Sequence, residues 1–205
     1  MTVSTDPVRA QDRDCAVIKL SWDEPERFAA IFDRYFAKIH RYLARRVGIR
    51  AADDLAGDVF LAAFEQRKGY DVSRETAGPW LYGIATNLVG THHRQEKRWY
   101  AALARSGALP AWQDDENQVT DRLAAAAAGP ALAAALARLS QGDRDVLLLV
   151  ALAGLGYQET CEALDIPSGT VASRLNRARR QLREALGGVN PARDSPDIPY
   201  GTVKE

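Results

Sequence analysis

The sequence predicts an all-α protein built from two small helical domains joined by a flexible linker. Three observations carry this: apolar residues recur at three- and four-residue steps in several windows, no window alternates apolar and polar residues as a strand does, and a stretch rich in Gly, Pro, Ala and acidic residues from about 101 to 130 breaks the periodicity. A chain of 205 residues with 46% hydrophobic composition suits two units, each near the lower limit for an independent core. Lys plus Arg and Asp plus Glu both total 27, so the formal net charge is zero and any nucleic-acid binding must be local or assisted. Cys15 and Cys161 are too few for a disulfide framework or a thiolate zinc site and fit a reducing compartment. No apolar run approaches the ~20 residues that span a bilayer, and the polar N-terminal stretch lacks the apolar centre of a signal peptide; the expectation is a cytoplasmic protein without membrane insertion.

The predicted organisation is a flexible arm over 1–21, a first domain over 22–99, the linker over 100–130, a second domain over 131–187 and a disordered tail over 188–205. Phe28, Ile31, Phe32, Tyr35, Phe36, Ile39, Tyr42, Leu43 and Val47 mark a first amphipathic helix, with Gly48 just past its end. Arg34, Lys38, Arg41, Arg45 and Arg46 are assigned to its polar side. A second helix, from about Ala52 to Gln66, turns Leu55, Val59, Ala62 and Ala63 inward and leaves Asp54, Asp58, Leu61 and Glu65 on the opposite stripe. After a loop from Gly69 to Gly78, Pro79 opens a third helix that runs to about Arg98. On it Leu81, Ala85, Leu88 and Val89 point inward, and Trp80, Gly83, Asn87, Thr91 and Arg94 share the other face. An aromatic, an amide, a hydroxyl and a cation together suit unpaired bases, which are stacked upon, read at their edges and held by the backbone.

In the second domain, Ser140 followed by Asp143 has the form of a helix cap, and Gly154 and Gly156 stop the helix that follows. The segment Tyr157 to Arg180 then has the grammar of a helix-turn-helix: a short helix, a tight turn and a longer basic helix. Cys161 supplies a small side chain where the two helices cross, and Asp165 stands where the turn needs a left-handed backbone. Val171, Leu175, Ala178 and Leu182 form the inward stripe of the last helix. Ser173, Asn176, Arg177 and Arg180 point outward, Arg174 lies on the flank, and Thr170 sits in the first turn; these residues can donate to base edges and phosphates.

The stretch GLGYQETCEALDIPSGTVASRLNRARRQLREAL resembles the minus-35-binding end of the extracytoplasmic-function (ECF) sigma factors, a compact branch of the sigma-70 family. DDLAGDVFLAAFE is similar to the family segment that grips the coiled coil of the RNA polymerase beta-prime subunit, and PWLYGIATNLVGTHHRQEKR to the segment that recognises the minus-10 element. The resemblance implies a sigma factor that binds core RNA polymerase through the beta-prime coiled coil and the beta subunit, with Asp54, Asp58, Leu61 and Glu65 as the grip. It implies further that Trp80, Asn87, Thr91 and Arg94 act on minus-10 DNA, that Thr170, Ser173, Arg174, Asn176, Arg177 and Arg180 act on minus-35 DNA, and that an anti-sigma factor is a partner. Asp114, Asp115 and Glu116, in the linker, would mimic nucleic-acid charge inside the polymerase. Catalytic residues, cofactors and metal are not expected: His92 and His93 have no Cys, Asp or Glu partners at ligand spacing, and no phosphate loop or nucleophile elbow occurs. The alternative reading of the C-terminal motif alone is a stand-alone helix-turn-helix regulator.

Overall fold

Local sequence rules account for most of the helices in the computed structural model, which describes residues 13–106 and 119–187. A short α1 (Asp14–Leu20) and a 3-10 turn (Pro25–Phe28) precede α2 (Ala29–Val47) and α3 (Ile49–Gln66). Gly48 joins α2 to α3 with φ 86°, a left-handed value that suits glycine, and the Trp99 ring lies over its bare Cα. Then come α4 (Gly78–Thr91), α5 (His93–Ser106), α6 (Val119–Arg138), α7 (Gln141–Ala153), α8 (Tyr157–Leu164) and α9 (Ser168–Ala185). No strand occurs among the described residues, and none of their helices is long and apolar enough to cross a membrane.

The periodic stripe of α2 is buried as read, with Ile31, Ile39 and Leu43 wholly inaccessible, and Leu55, Ala56, Val59 and Ala63 of α3 close against it. Pro79 sits in the first turn of α4. In the second unit, Ser140 Oγ accepts from the Asp143 N–H at 3.2 Å and opens α7, while Gly154, at φ 68°, ends it. Asp165 takes the left-handed conformation at φ 51°, the turn of the helix-turn-helix, and Val171, Leu175 and Ala178 bury the inward stripe of α9.

Several expectations are corrected. The arm is not free up to residue 21: α1 is docked, Ile18 and Ser21 are fully buried, and the Trp22 indole donates to the Arg67 carbonyl at 3.0 Å. Residues 1–12 lie outside the described residues, as do the acidic cluster 114–116 and the tail 188–205. The third helix does not run unbroken to Arg98; it ends at Thr91, and His93 starts α5. The linker does not end at residue 130, because α6 runs through that boundary with Pro130 inside it. Arg46, assigned to the polar side of its helix, is 0% exposed.

The two helical domains are as expected, and they pack together. The two units do not keep separate cores: one apolar cluster includes Ile39, Leu81 and Val89 of the first together with Leu148, Leu149, Leu155 and Ala163 of the second. A smaller cluster, with Leu139, Val146, Val171, Leu175 and Ala178, belongs to the second unit alone. Helix α7 is therefore covered on both sides, with Asp143 to Leu149 all buried. An α-helix that is apolar on more than one face is an internal helix, and the run Val146 to Val150 carried that signal.

Candidate polymerase and nucleic-acid interfaces

The acidic stripe forms as the spacing predicts. Asp54, Asp58, Leu61 and Glu65 are all exposed on α3, and Leu61 is 58% exposed, although it is a large apolar side chain with buried Val59 and Phe60 behind it. Asp53, absent from the predicted set, adds charge beside the stripe and binds His40 Nε2 at 2.7 Å. Gly57 opens on the same surface with nothing near its Cα.

The third-helix face is only partly as read. Asn87 and Thr91 are exposed, Thr91 Oγ1 donating to the Leu88 carbonyl. Arg94 is exposed but belongs to α5, so the single-helix wheel that grouped it with Asn87 does not hold. Trp80 is half-buried against the core with its ring 4.9 Å from that of Tyr70. Gly83 is buried, not solvent-facing: α8 of the second unit lies against it, and a Cβ there would overlap the Ala163 carbonyl oxygen.

One residue outside the predicted set organises this region. Asp14 of α1, 3% exposed, accepts from the Ala77 N–H at 2.7 Å, from the Tyr35 hydroxyl and from Arg34. It thereby ties α1 and α2 to the start of α4. Burial pushes the Tyr35 hydroxyl well above its usual value, and the adjoining Asp14 carboxylate adds to this, so the phenol remains a donor. A lone acidic residue in a polar N-terminal stretch gives no sequence signal for such a role.

On α9, Ser173, Asn176, Arg177 and Arg180 are exposed, and Thr170 and Arg174 half-exposed. Arg174 lies over Gly142 at the start of α7. Arg177 pairs with the buried Asp143 at 3.0 Å, and Arg180 approaches Glu184 at 3.9 Å along the same helix. The cationic face is thus held in place by the N-terminal turn of α7.

Between the units lies a group of charges that sequence reading missed. Arg46 Nε donates to Glu96 Oε1 at 2.7 Å, and Arg46 Nη2 reaches Asp145 Oδ1 at 2.5 Å. Arg144 reaches Glu96 Oε2 at 3.0 Å and donates to the carbonyls of Leu136 and Leu139. Arg46 also donates to the Tyr42 hydroxyl at 2.8 Å, which meets Thr86 Oγ1 at 2.9 Å. Both guanidinium groups are fully buried and Glu96 is 1% exposed. Burial holds the Asp145 carboxyl above its usual value against the opposing pull of Arg46.

Two helical units, one ending in a helix-turn-helix with an exposed cationic face, define a DNA-binding protein of the helix-turn-helix class. Comparison with known proteins narrows this. Residues 31–99 match Sigma-70 region 2, and residues 130–182 match Sigma-70, region 4. Over 170 residues, 80% of this chain and 90% of the relative, it is 30% identical to the ECF RNA polymerase sigma factor SigW of Bacillus subtilis. It is 29% identical over 170 residues to the ECF RNA polymerase sigma factor SigM of Mycobacterium tuberculosis, covering 80% of this chain and 81% of that one. The fold is similar to that of CnrH in complex with the cytosolic domain of CnrY, with a TM-score of 0.58, 19% identity and coverage of 86% of this chain and 99% of that one. It is also similar to the sigma factor RpoE bound to the anti-sigma factor NepR from Bartonella quintana, with a TM-score of 0.51, 21% identity and coverage of 82% and 99%. The chain belongs to the ECF sigma factors of the sigma-70 family. It binds core RNA polymerase and directs promoter recognition and transcription initiation; the region 2 match sets aside the stand-alone regulator.

Proposed function

We propose that three separate surfaces divide this work. The α3 stripe of Asp54, Asp58, Leu61 and Glu65 grips the basic beta-prime coiled coil. Asn87 and Thr91, flanked by Trp80 and Arg94, act on the opened minus-10 strand. Ser173, Asn176 and Arg177 read the minus-35 duplex, while Thr170, Arg174 and Arg180 hold its backbone. The units at 22–99 and 131–187 correspond to sigma domains 2 and 4. The protein works in the cytoplasm, adds no chemistry of its own and is held in check by an anti-sigma factor, a reading supported by the neighbour bound to NepR.

The observation that carries the polymerase surface is the isolated exposure of Leu61, 58% open amid carboxylates that have no ion-pair partner among the described residues. Such a face matches a partner helix with an apolar spot ringed by cations. Run-off transcription from a fragmented genome, with core enzyme and this chain alone, tests the assignment. Wild type is expected to give discrete transcripts, and Asp54→Lys with Asp58→Lys to give none and to lose core enzyme in a pull-down at unchanged helicity. Equal retention of core enzyme by the double variant would remove the grip from α3.

A further inference from the structure

We propose that Gly57 leaves a gap on α3 that receives one arginine of the beta-prime coiled coil, its cation at Asp53 and Asp54 and its stem against Leu61, Phe60 and Phe32. The inference rests on the assignment of α3 to the polymerase grip.

Glycine is unfavourable in the middle of an α-helix, because it loses more backbone freedom than alanine and packs nothing in return. Position 57 is the ninth of the 18 residues of α3. No local demand explains it. Its φ is not positive, and a Cβ there would meet no atom within 4 Å. Other helical glycines have visible reasons: Gly83 faces the Ala163 carbonyl, Gly90 the end of Gln141 and Gly142 the Arg174 guanidinium, while Gly169 lies in the first turn of α9. What glycine provides at 57 is space, and only an approaching surface can use it.

The frame of the gap specifies the occupant. On a helix the neighbours of position 57 stand three and four residues away, here Asp53 and Asp54 on one side and Phe60 and Leu61 on the other. The row from Asp53 to Leu61 runs about 12 Å along the axis. Carboxylates therefore close its N-terminal end and apolar groups its C-terminal end. Leu61 is 58% exposed, and Phe32 of α2 extends the apolar end: its ring stands 4.9 Å from that of Phe60, and it is 39% exposed. Asp53 is steadied by His40 Nε2 at 2.7 Å, yet its side chain stays 62% exposed. A side chain with an apolar stem and a cationic head matches both ends at once, whereas a purely apolar knob would set hydrocarbon against two carboxylates. Arginine fits better than lysine, since its planar fork can meet both carboxylates and its face can lie on an aromatic ring. Any Cβ at 57 stands in the path of the stem.

Titration of core RNA polymerase with the full chain tests this, with Gly57→Ala and Gly57→Leu beside wild type. Both variants are expected to melt at or above the wild-type temperature, because helix propensity rises and nothing is displaced. Core binding is expected to weaken about threefold for Gly57→Ala and on the order of thirtyfold for Gly57→Leu. A glycine needed only for folding would instead lower the melting temperature. Each arginine of the beta-prime coiled coil is then changed in turn to alanine. One of them is expected to cost about as much as Gly57→Leu and to add nothing when the two changes are combined. Wild-type affinity in Gly57→Leu, or additive losses for every arginine, would overturn the gap. Asp54→Lys with Asp58→Lys, run alongside, keeps the two assignments apart. If it loses core enzyme while Gly57→Leu retains it, the grip stands and the gap falls. If it is harmless while Gly57→Leu weakens binding through one arginine, the gap stands and the acidic stripe falls.

Discussion

The pairing of Arg177 with Asp143 changes what the recognition helix has to do. A guanidinium held at 3.0 Å by a buried carboxylate is oriented before DNA arrives, and it has donors left for a base or phosphate. Arg177→Ala is expected to weaken the preferred minus-35 element by about 1–3 kcal/mol and to flatten discrimination among elements, read from a promoter library transcribed at two salt concentrations. Arg180, loosely paired with the exposed Glu184 one turn along, is expected to act on all promoters alike, so Arg180→Ala should lower the salt slope without changing preference. Asp14 is a different case. Asp14→Ala strands the buried Ala77 N–H and the Tyr35 hydroxyl, at an expected cost of about 2–3 kcal/mol in unfolding free energy. Its effect on promoter use should fall on minus-10 preference, since α4 begins at the residue after Ala77; unchanged preference would make the contact purely structural. Neither pairing was legible in the sequence, because each joins positions far apart along the chain through side chains with no periodic signature.

Helices with a single apolar stripe were the legible elements. The spacing of Ile31, Tyr35, Ile39 and Leu43 in α2, and of Val171, Leu175 and Ala178 in α9, gave both the helix and its buried face, since one repeating contact decides both. Turn chemistry was equally readable. Asp165 takes φ 51° because a short polar side chain tolerates that backbone, so Asp165→Ala is expected to cost about 1 kcal/mol while Asp165→Gly is near neutral, measured by thermal unfolding. The break at His92 left a sequence signal that the apolar wheel passed over: Gly90, Thr91 and His92 are weak helix formers in a row. One consequence is that Arg94 is carried by α5, the helix that also supplies Glu96 to the buried charge group between the units.

The two expected helical domains are present, and they share burial for a reason visible in α7. Its central residues face both the small cluster of the second unit and the large shared one, so neither unit alone buries what the sequence supplies. Arg46, part of the polar counterpart, was assigned to the polar side of its helix because charge on a helix is usually solvated. Shared burial predicts shared melting. Calorimetry on the full chain is expected to show one cooperative transition, and Asp145→Ala to split it into two. Two transitions in wild type would mean that the common cluster contributes little.

The buried boundary between the two units joins surfaces tethered on one chain, and this has a consequence in terms of concentration. A short connection holds each surface near its mate at an effective concentration on the order of millimolar, far above that of separate molecules in dilute solution. Closure within a molecule therefore prevails over pairing between molecules, and an interface too weak to bring free units together still keeps one chain shut. The balance reverses when the protein is concentrated toward the millimolar range. Molecules that open then meet the partner surface of a neighbour as often as their own, and two chains can exchange second units with Arg46 and Glu96 of one against Arg144 and Asp145 of the other. A reciprocal dimer should accordingly appear on size exclusion of concentrated wild type, dissolve slowly on dilution, and be missing from Asp145→Ala.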